Sequence, residues 1–275
     1  MGSDMQSRST TVSADELTSA RLQLLSCNIL AGGSMSRYRD YFTQSWKQVL
    51  PARSKRGNLD NFAKLLADFD LVGLQEADAG SLRSGFLNQT QYLAEAAGFG
   101  YWSHQPNRKV AQFAASSNGL LTRIEPSEVL DYPLPGRIPG RGALWVRFGV
   151  GEHSLIVVIA HLSLGPTARR RQFEFIAELI GNNEYVVLMG DLNCGTHSDE
   201  LKMLFRQTSL TPPRETSPNT FPSWKPRRAI DHILTSPSLQ IERLWTLPHP
   251  VSDHLPLAAS IRLPAALQLK AQATA

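Results

Sequence analysis

Short apolar runs that alternate with amphipathic stretches constrain this chain more than any other feature. Residues 21–30 end in an apolar run and read as a strand. Leu59, Phe62, Leu65, Leu66 and Phe69 recur at helical spacing, so residues 58–68 read as a helix with one buried face. Residues 71–75 then read as a buried strand, and residues 89–97 as a second helix stopped by Gly98. The second half repeats this style. Residues 154–162 form a β-branched strand, and residues 167–180 a helix that lines up Phe173, Ile176, Leu179 and Ile180 and stops at Gly181. Residues 185–189, 229–235 and 257–263 read as further strands. Buried strands with helices laid on one side imply a layered α/β architecture.

A chain of 275 residues with 42% hydrophobic content can bury a sizeable core. With no convincing linker, residues 21–264 read as one domain. Residues 1–20 are polar, carry no apolar signal segment and are expected to be disordered; residues 265–275 are expected to form a frayed tail. Residues 107–117 and 208–228 read as long loops, the kind that serve function or move. Arg169, Arg170 and Arg171 read as a solvated helix face. No apolar stretch is long enough to span a bilayer. Two cysteines, Cys27 and Cys194, do not make a disulfide framework and suit free thiols in the cytoplasm. The net charge of +4 fits an anionic substrate without demanding one.

The chemistry sits at the ends of the apolar runs. Asn28 follows the first, Glu76 the second, His161 the β-branched run, and Asp191 and Asn193 the next. Asp231 opens a later run, and Asp253 and His254 precede the last. Charges are costly in a core unless they are paired or bind metal. Strand ends let them converge on one rim while the strands hold them rigid, and such rims commonly bind ligands. Carboxylate and amide oxygens are hard ligands suited to Mg2+ or Mn2+, and no zinc-type Cys/His spacing is present. Each motif alone has a plainer reading. Gly190-Asp191-Leu192-Asn193 reads as a turn, Ser252-Asp253-His254 as a helix cap, Glu76 as a cap or surface acid and His161 as a structural histidine. Their joint order beside apolar strands is what outweighs these.

The segments Ser26-Cys27-Asn28-Ile29-Leu30, Leu74-Gln75-Glu76-Ala77-Asp78, Ser117-Asn118-Gly119-Leu120-Leu121, Ala160-His161-Leu162, Gly190-Asp191-Leu192-Asn193, Ile230-Asp231-His232-Ile233-Leu234 and Ser252-Asp253-His254-Leu255-Pro256 span nearly the whole chain. Together they resemble the endonuclease/exonuclease/phosphatase superfamily, which includes deoxyribonuclease I. The resemblance implies a four-layer α/β sandwich with two central mixed sheets, and a metal-dependent phosphoester hydrolase with Mg2+, or Mn2+ as substitute. It implies that Glu76 is the main metal ligand, helped by Asn28 and, through water, by Asp253. Asp191 would position or deprotonate the attacking water, and Asn193 would hydrogen-bond the phosphate. His254, oriented by Asp231, would contact the phosphate, and His161 would be a general acid or a transition-state donor.

Asn118 resembles a position lining the family's cleft, and Arg141, in a glycine-rich stretch, is a candidate substrate contact; a surface turn is its plainer reading. Asn28 is followed by Ile29 and Leu30, not by the Asn-x-Asp pattern of apurinic endonucleases, and His161 has no counterpart in those enzymes. The reading is a nuclease-type phosphodiesterase that works as a monomer. The alternative is a phospholipid or small-molecule phosphodiesterase or phosphatase without a stable membrane anchor. Arg227, Arg228, Phe221 and Trp224 could meet a polyanion, a base or a lipid, as could residues 82–86 for a membrane; exposed or packed loops are the plainer readings.

Overall fold

The apolar runs become the strands of two mixed sheets. The computed structural model describes residues 21–29, 52–78, 88–110, 114–136, 140–213, 217–249, 251–267 and 269–270, so the expectations for residues 1–20 and 82–86 lie outside the described residues. The first sheet has six strands among these, in the order β10-β11-β1-β2-β4-β3. They are β1 (Arg21–Asn28), β2 (Leu71–Asp78), β3 (Tyr101–Val110), β4 (Ala114–Thr122), β10 (Gln240–Thr246) and β11 (Leu257–Arg262). The second has five, β5 (Pro126–Pro133), β6 (Gly142–Phe148), β7 (Leu155–His161), β8 (Tyr185–Asp191) and β9 (Asp231–Thr235), in sequence order. The parallel pairs are β1 with β2 and β7 with β8; the other pairings are antiparallel.

The helices are α1 (Ala52–Leu66), α2 (Gln89–Ala97), α3 (Pro166–Ile180) and α4 (Asp199–Gln207). Local chemistry sets their ends. Asn88 accepts from the amide of Gln91 at the start of α2, and Gly98 closes it at φ 71°. Pro166 opens α3, where its missing N–H costs nothing. Ser198 caps α4, with Asp199 and Glu200 at the positive end of its dipole.

Three apolar clusters stack these elements into four layers. Leu25, Phe62, Leu66, Val72, Leu74, Leu93 and Leu121 join α1 and α2 to the outer face of the first sheet. Leu24, Leu71, Leu120, Leu144, Val157, Val187, Met189 and Ile261 fill the space between the sheets. Val158, Phe173, Ile176, Leu188, Leu201 and Leu204 join the second sheet to α3 and α4. This is the expected four-layer α/β sandwich of deoxyribonuclease I type. The strands read from apolar runs are near-continuously apolar because both faces of each sheet are covered.

Three local readings change. Residues 107–117 largely pair as the β3–β4 hairpin, with Lys109 opposite Ala115. Their sequence carries no period-two apolar pattern, although β3 forms the edge of the sheet and β4 lies between β2 and β3. Arg169 is not solvated: it lies on the buried stripe of α3 and pairs with Glu200 of α4, while Arg170 stays exposed. Past Pro264, Leu267 packs into the inter-sheet core, and the carbonyl of Lys270 accepts from the amide of Glu125.

Candidate active site

Register places the polar strand ends side by side. Across the second sheet, Gly142 lies opposite His161, His161 opposite Asp191, and Asp191 opposite Asp231. One rung therefore carries three of the candidate side chains, with Arg141 preceding Gly142. In the first sheet Asn28 pairs with Gln75, next to Glu76. The parallel pairs β1–β2 and β7–β8 end on the same rim, and Asn28 bridges them by donating from Nδ2 to Asp191 Oδ2 at 3.2 Å.

Two of these residues sit in backbone that disfavours side chains. Glu76 has φ 55°, within a β-bulge where the β2–β4 register shifts between Leu74 and Ala77. Asn193 has φ 54°. Left-handed non-glycine residues and bulges concentrate at functional sites, where they re-aim side chains. Gly190 explains why the stretch before Asp191 is not a free turn. It continues β8 at φ 142°, and a Cβ there would lie 1.9 Å from the carbonyl oxygen of Ala160. Asn193 then folds back: its backbone amide donates to Asp191 Oδ1 at 3.0 Å, and its side chain donates to the Leu162 carbonyl at 2.9 Å.

His254 Nδ1 meets Asp231 Oδ2 at 2.8 Å, and Thr220 Oγ1 donates to the same carboxylate oxygen. Burial opposes charge on His254. Asp231 outweighs it, with help from Asp191 and Asp253, and lifts the imidazole to about 9. His161 is the opposite case. Burial first, then Arg141 and His254, hold it well below its ordinary value, so its ring is neutral. Its Nε2 touches a guanidinium nitrogen of Arg141 and lies 3.4 Å from Asp191 Oδ2 and 3.7 Å from Glu76 Oε1. Since arginine can only donate, Nε2 is the acceptor toward Arg141, which puts the ring proton on Nδ1.

The carboxylates share a deficit of positive charge. Burial, then Asp231, raises Asp191 to about 7; burial, then Asp253, raises Glu76; burial, then Asp231, raises Asp253. One oxygen of Asp253 is buried with no hydrogen-bond partner among the described residues. A hard divalent cation suits such a set of carboxylate and amide oxygens. Asp191, Asp231 and His254 also bring ligand-type atoms within 4.8 Å of one another. There, however, the His254–Asp231 hydrogen bond already uses one of the facing atom pairs.

The expected substrate contacts differ in exposure. Arg141 is half-buried against His161. Asn118 is fully buried and donates to the Gly142 carbonyl at 2.8 Å, tying the two sheets together beside the site. The plainer reading holds for Phe221, whose ring centre lies 5.0 Å from that of His254 and has the Arg228 guanidinium over it at 5.7 Å. Ser223 fixes this loop to the site: its amide donates to the Asp253 carbonyl at 2.7 Å and its hydroxyl to the Ser252 carbonyl at 2.9 Å. Thr220 escaped the sequence reading because a threonine in a polar loop carries no periodic signal.

The sequence model described as the Endonuclease/Exonuclease/phosphatase family matches residues 25–254, from β1 to the final histidine. The chain belongs to this family. Endonuclease/exonuclease/phosphatase members hydrolyse phosphoesters and generally depend on a divalent metal, so the chain is a phosphoester-hydrolysing enzyme by membership. Its fold is similar to that of an endonuclease/exonuclease/phosphatase from Beutenbergia cavernae DSM 12333, at 17% identity and TM-score 0.69, over 90% of this chain and 72% of that one. It is also similar to a mannosyl-6-phosphatase of Bacteroides thetaiotaomicron VPI-5482, at 19% identity and TM-score 0.64, over 87% and 99% of the two chains. The human Nocturnin catalytic domain, with bound sulfate, is similar at 16% identity and TM-score 0.64, over 89% and 95%. No curated protein matches the sequence significantly. Among the described residues, no helix is long and apolar enough to cross a membrane.

Proposed function

We propose that this enzyme is a Mg2+-dependent phosphodiesterase acting on nucleic acid, with residues 21–264 as its catalytic unit. The observation that carries the reaction is the His161–Asp191–Asp231 rung facing Glu76 and Asn28 across the rim. Glu76, Asn28 and Asp253 would hold the cation, which when bound neutralises phosphate charge and stabilises the leaving oxyanion. Mn2+ offers the same hard chemistry.

The other residues bind the phosphate and manage protons. Asp191, lifted toward neutrality by burial, is suited to accept a proton from the attacking water. Protonated His254 offers a charged donor to a phosphate oxygen, and Asp231 keeps it protonated and aimed. Asn193 and Arg141 add donors to the same phosphate. A neutral His161 whose Nε2 accepts from Arg141 is a poor source of a proton, so in this reading it holds the Arg141 guanidinium, which acts as the transition-state donor. Donors fixed before reaction need no reorganisation, and removing one costs about 3–4 kcal/mol of barrier. Arg141 completes the substrate side in this reading; Asn118, expected there as a contact, is fully buried and instead supports Gly142 from behind.

Nucleic acid is favoured by the loop clamped onto Asp253 and His254. Lys225, Arg227 and Arg228 are exposed there and form no ion pair among the described residues, beside the half-exposed Trp224. A basic, aromatic edge combines backbone attraction with base stacking. A second reading, hydrolysis of a phospholipid or small phosphoester, draws on the exposed Leu164 and Trp224 near the rim. Digestion of plasmid and single-stranded DNA with Mg2+ separates the two. Cleavage supports the nuclease. Hydrolysis of bis-p-nitrophenyl phosphate or of vesicle phospholipid without any DNA cleavage would sink it. The same reading takes the enzyme as a cytoplasmic monomer, and an oligomer on size-exclusion chromatography would contradict the latter.

A further inference from the structure

Gln172 stands on the apolar stripe of α3 between Arg169 and Phe173 and is fully buried. A buried amide survives only if its hydrogen bonds are made. Here each one goes to a segment that carries a candidate site residue. Gln172 Oε1 accepts from the backbone amide of Ser163 at 2.9 Å, two residues after His161. Its Nε2 donates to Ser163 Oγ at 3.0 Å and to the Pro135 carbonyl at 3.1 Å. Pro135 follows Leu134, whose amide donates to the carbonyl of Arg141 across the β5–β6 connection. One side chain thus fastens the His161 segment to the Arg141 segment.

The surroundings leave that fastening no slack on the His161 side. Leu162 donates to the Asp191 carbonyl, and its own carbonyl accepts from Asn193. Arg169 donates to the carbonyls of Ser163 and Leu164 and is held by Glu200. Beside the Leu134 bond, the Pro135–Gln172 hydrogen bond ties this connection to α3.

We propose that Gln172 is a positioning residue that sets Arg141 against His161, so that the guanidinium is in place before the phosphate arrives. The proposal rests on the reading of Arg141 as a phosphate donor. Gln172 touches no reacting atom; it acts through two backbone segments. Prior placement matters because a displacement near 1 Å in a donor can cost on the order of a hundredfold in rate.

Three variants test this with bis-p-nitrophenyl phosphate and Mg2+. Gln172→Glu, assayed at a pH high enough to ionise it, keeps acceptors for the Ser163 amide and hydroxyl but loses the donor to Pro135. Its kcat is expected to fall roughly tenfold or more with KM little changed. Arg141→Ala lowers kcat by itself. In the double variant, the Glu substitution is expected to cost almost nothing further, because its target is already gone. A merely structural Gln172 would instead lower both backgrounds by the same factor, and that multiplicative result overturns the proposal, as does an unchanged kcat in the folded single variant. Gln172→Leu, which loses all three bonds, is expected to be at least as impaired; if it fails to fold, Gln172→Glu carries the test. A crystal structure of Gln172→Glu reads the placement without activity. A displaced Arg141 beside an unmoved β7 is expected, and an unmoved Arg141 overturns the proposal. An inactive wild-type enzyme would count against the hydrolase reading and leave this structural comparison standing as the test.

Discussion

At the residue scale, the site is a balance of charges that no single side chain satisfies. Glu76 projects from strained backbone in a bulge, with its carboxyl raised by burial and by Asp253. Glu76→Gln keeps the shape and removes the charge. It is expected to lower kcat/KM at least a hundredfold while leaving the melting temperature without metal unchanged or higher, as measured by steady-state kinetics and thermal denaturation. The pH profile has a defined sign. The proposed mechanism needs Asp191 ionised and His254 protonated. Activity therefore rises through an acid limb at or below about 7, since a nearby cation favours the ionised carboxylate, and falls through an alkaline limb near about 9. Asp231→Asn removes the main charge that supports protonation of His254, so the alkaline limb is expected to move to lower pH. A limb that stays in place would separate it from His254. These residues were legible in the sequence as types and order, because polar groups ending apolar runs are conspicuous. Their electrostatic division was not. Nothing in sequence order distinguishes a neutral His161 beside Arg141 from a charged His254 beside Asp231.

At the element scale, β8 and its neighbours convert register into geometry. Gly190 passes so close to β7 that Gly190→Ala must push the two strands apart next to His161 and Asp191. We expect a loss of about 3 kcal/mol in denaturant unfolding, together with loss of activity in the fraction that remains folded. The outer edge shows a gentler coupling. Glu242 on β10 joins Arg21 of β1 and Arg262 of β11, and hydrogen bonds from Arg21 and Arg262 lower its carboxyl below the ordinary value. A depressed folded-state pKa contributes stability above the ordinary glutamate value that fades as pH falls through the folded one. Glu242→Gln is thus expected to flatten the acid side of the stability profile; an unchanged slope would mean that this exposed trio contributes nothing. Elements with two covered faces, such as β7 and β8, were readable because burial makes them uniformly apolar. The β3–β4 hairpin was not, since residues 101–117 carry neither a uniformly apolar run nor an alternating one. Arg169 and Gln172 stood in plain sight on the stripe of α3, and two polar residues at core positions were the signal that the face is not solvent.

At the scale of the whole molecule, two sheets packed face to face aim two parallel strand pairs at one rim, and the buried carboxylates gathered there cost stability that a bound cation would relieve. Family membership accounts for the layered fold and for phosphoester hydrolysis as the class of reaction. The substrate depends on loops laid over that shared scaffold, and loop chemistry such as Ser223 on Asp253 is a matter of long-range contact that periodicity does not encode. Because a ligand that binds only the folded state stabilises it, Mg2+ or Mn2+ is expected to raise the melting temperature of the wild type, EDTA to reverse the rise, and Glu76→Gln to abolish it. In the proposed mechanism this rim hydrolyses phosphodiesters with a divalent cation. The most direct measurement of this is hydrolysis of bis-p-nitrophenyl phosphate by the wild type, with EDTA and with added Mg2+ or Mn2+, beside Glu76→Gln and His254→Ala. The expected result is turnover that appears with the cation, vanishes with EDTA and is lost in both variants. Turnover that survives EDTA, or that both variants retain, would contradict the account.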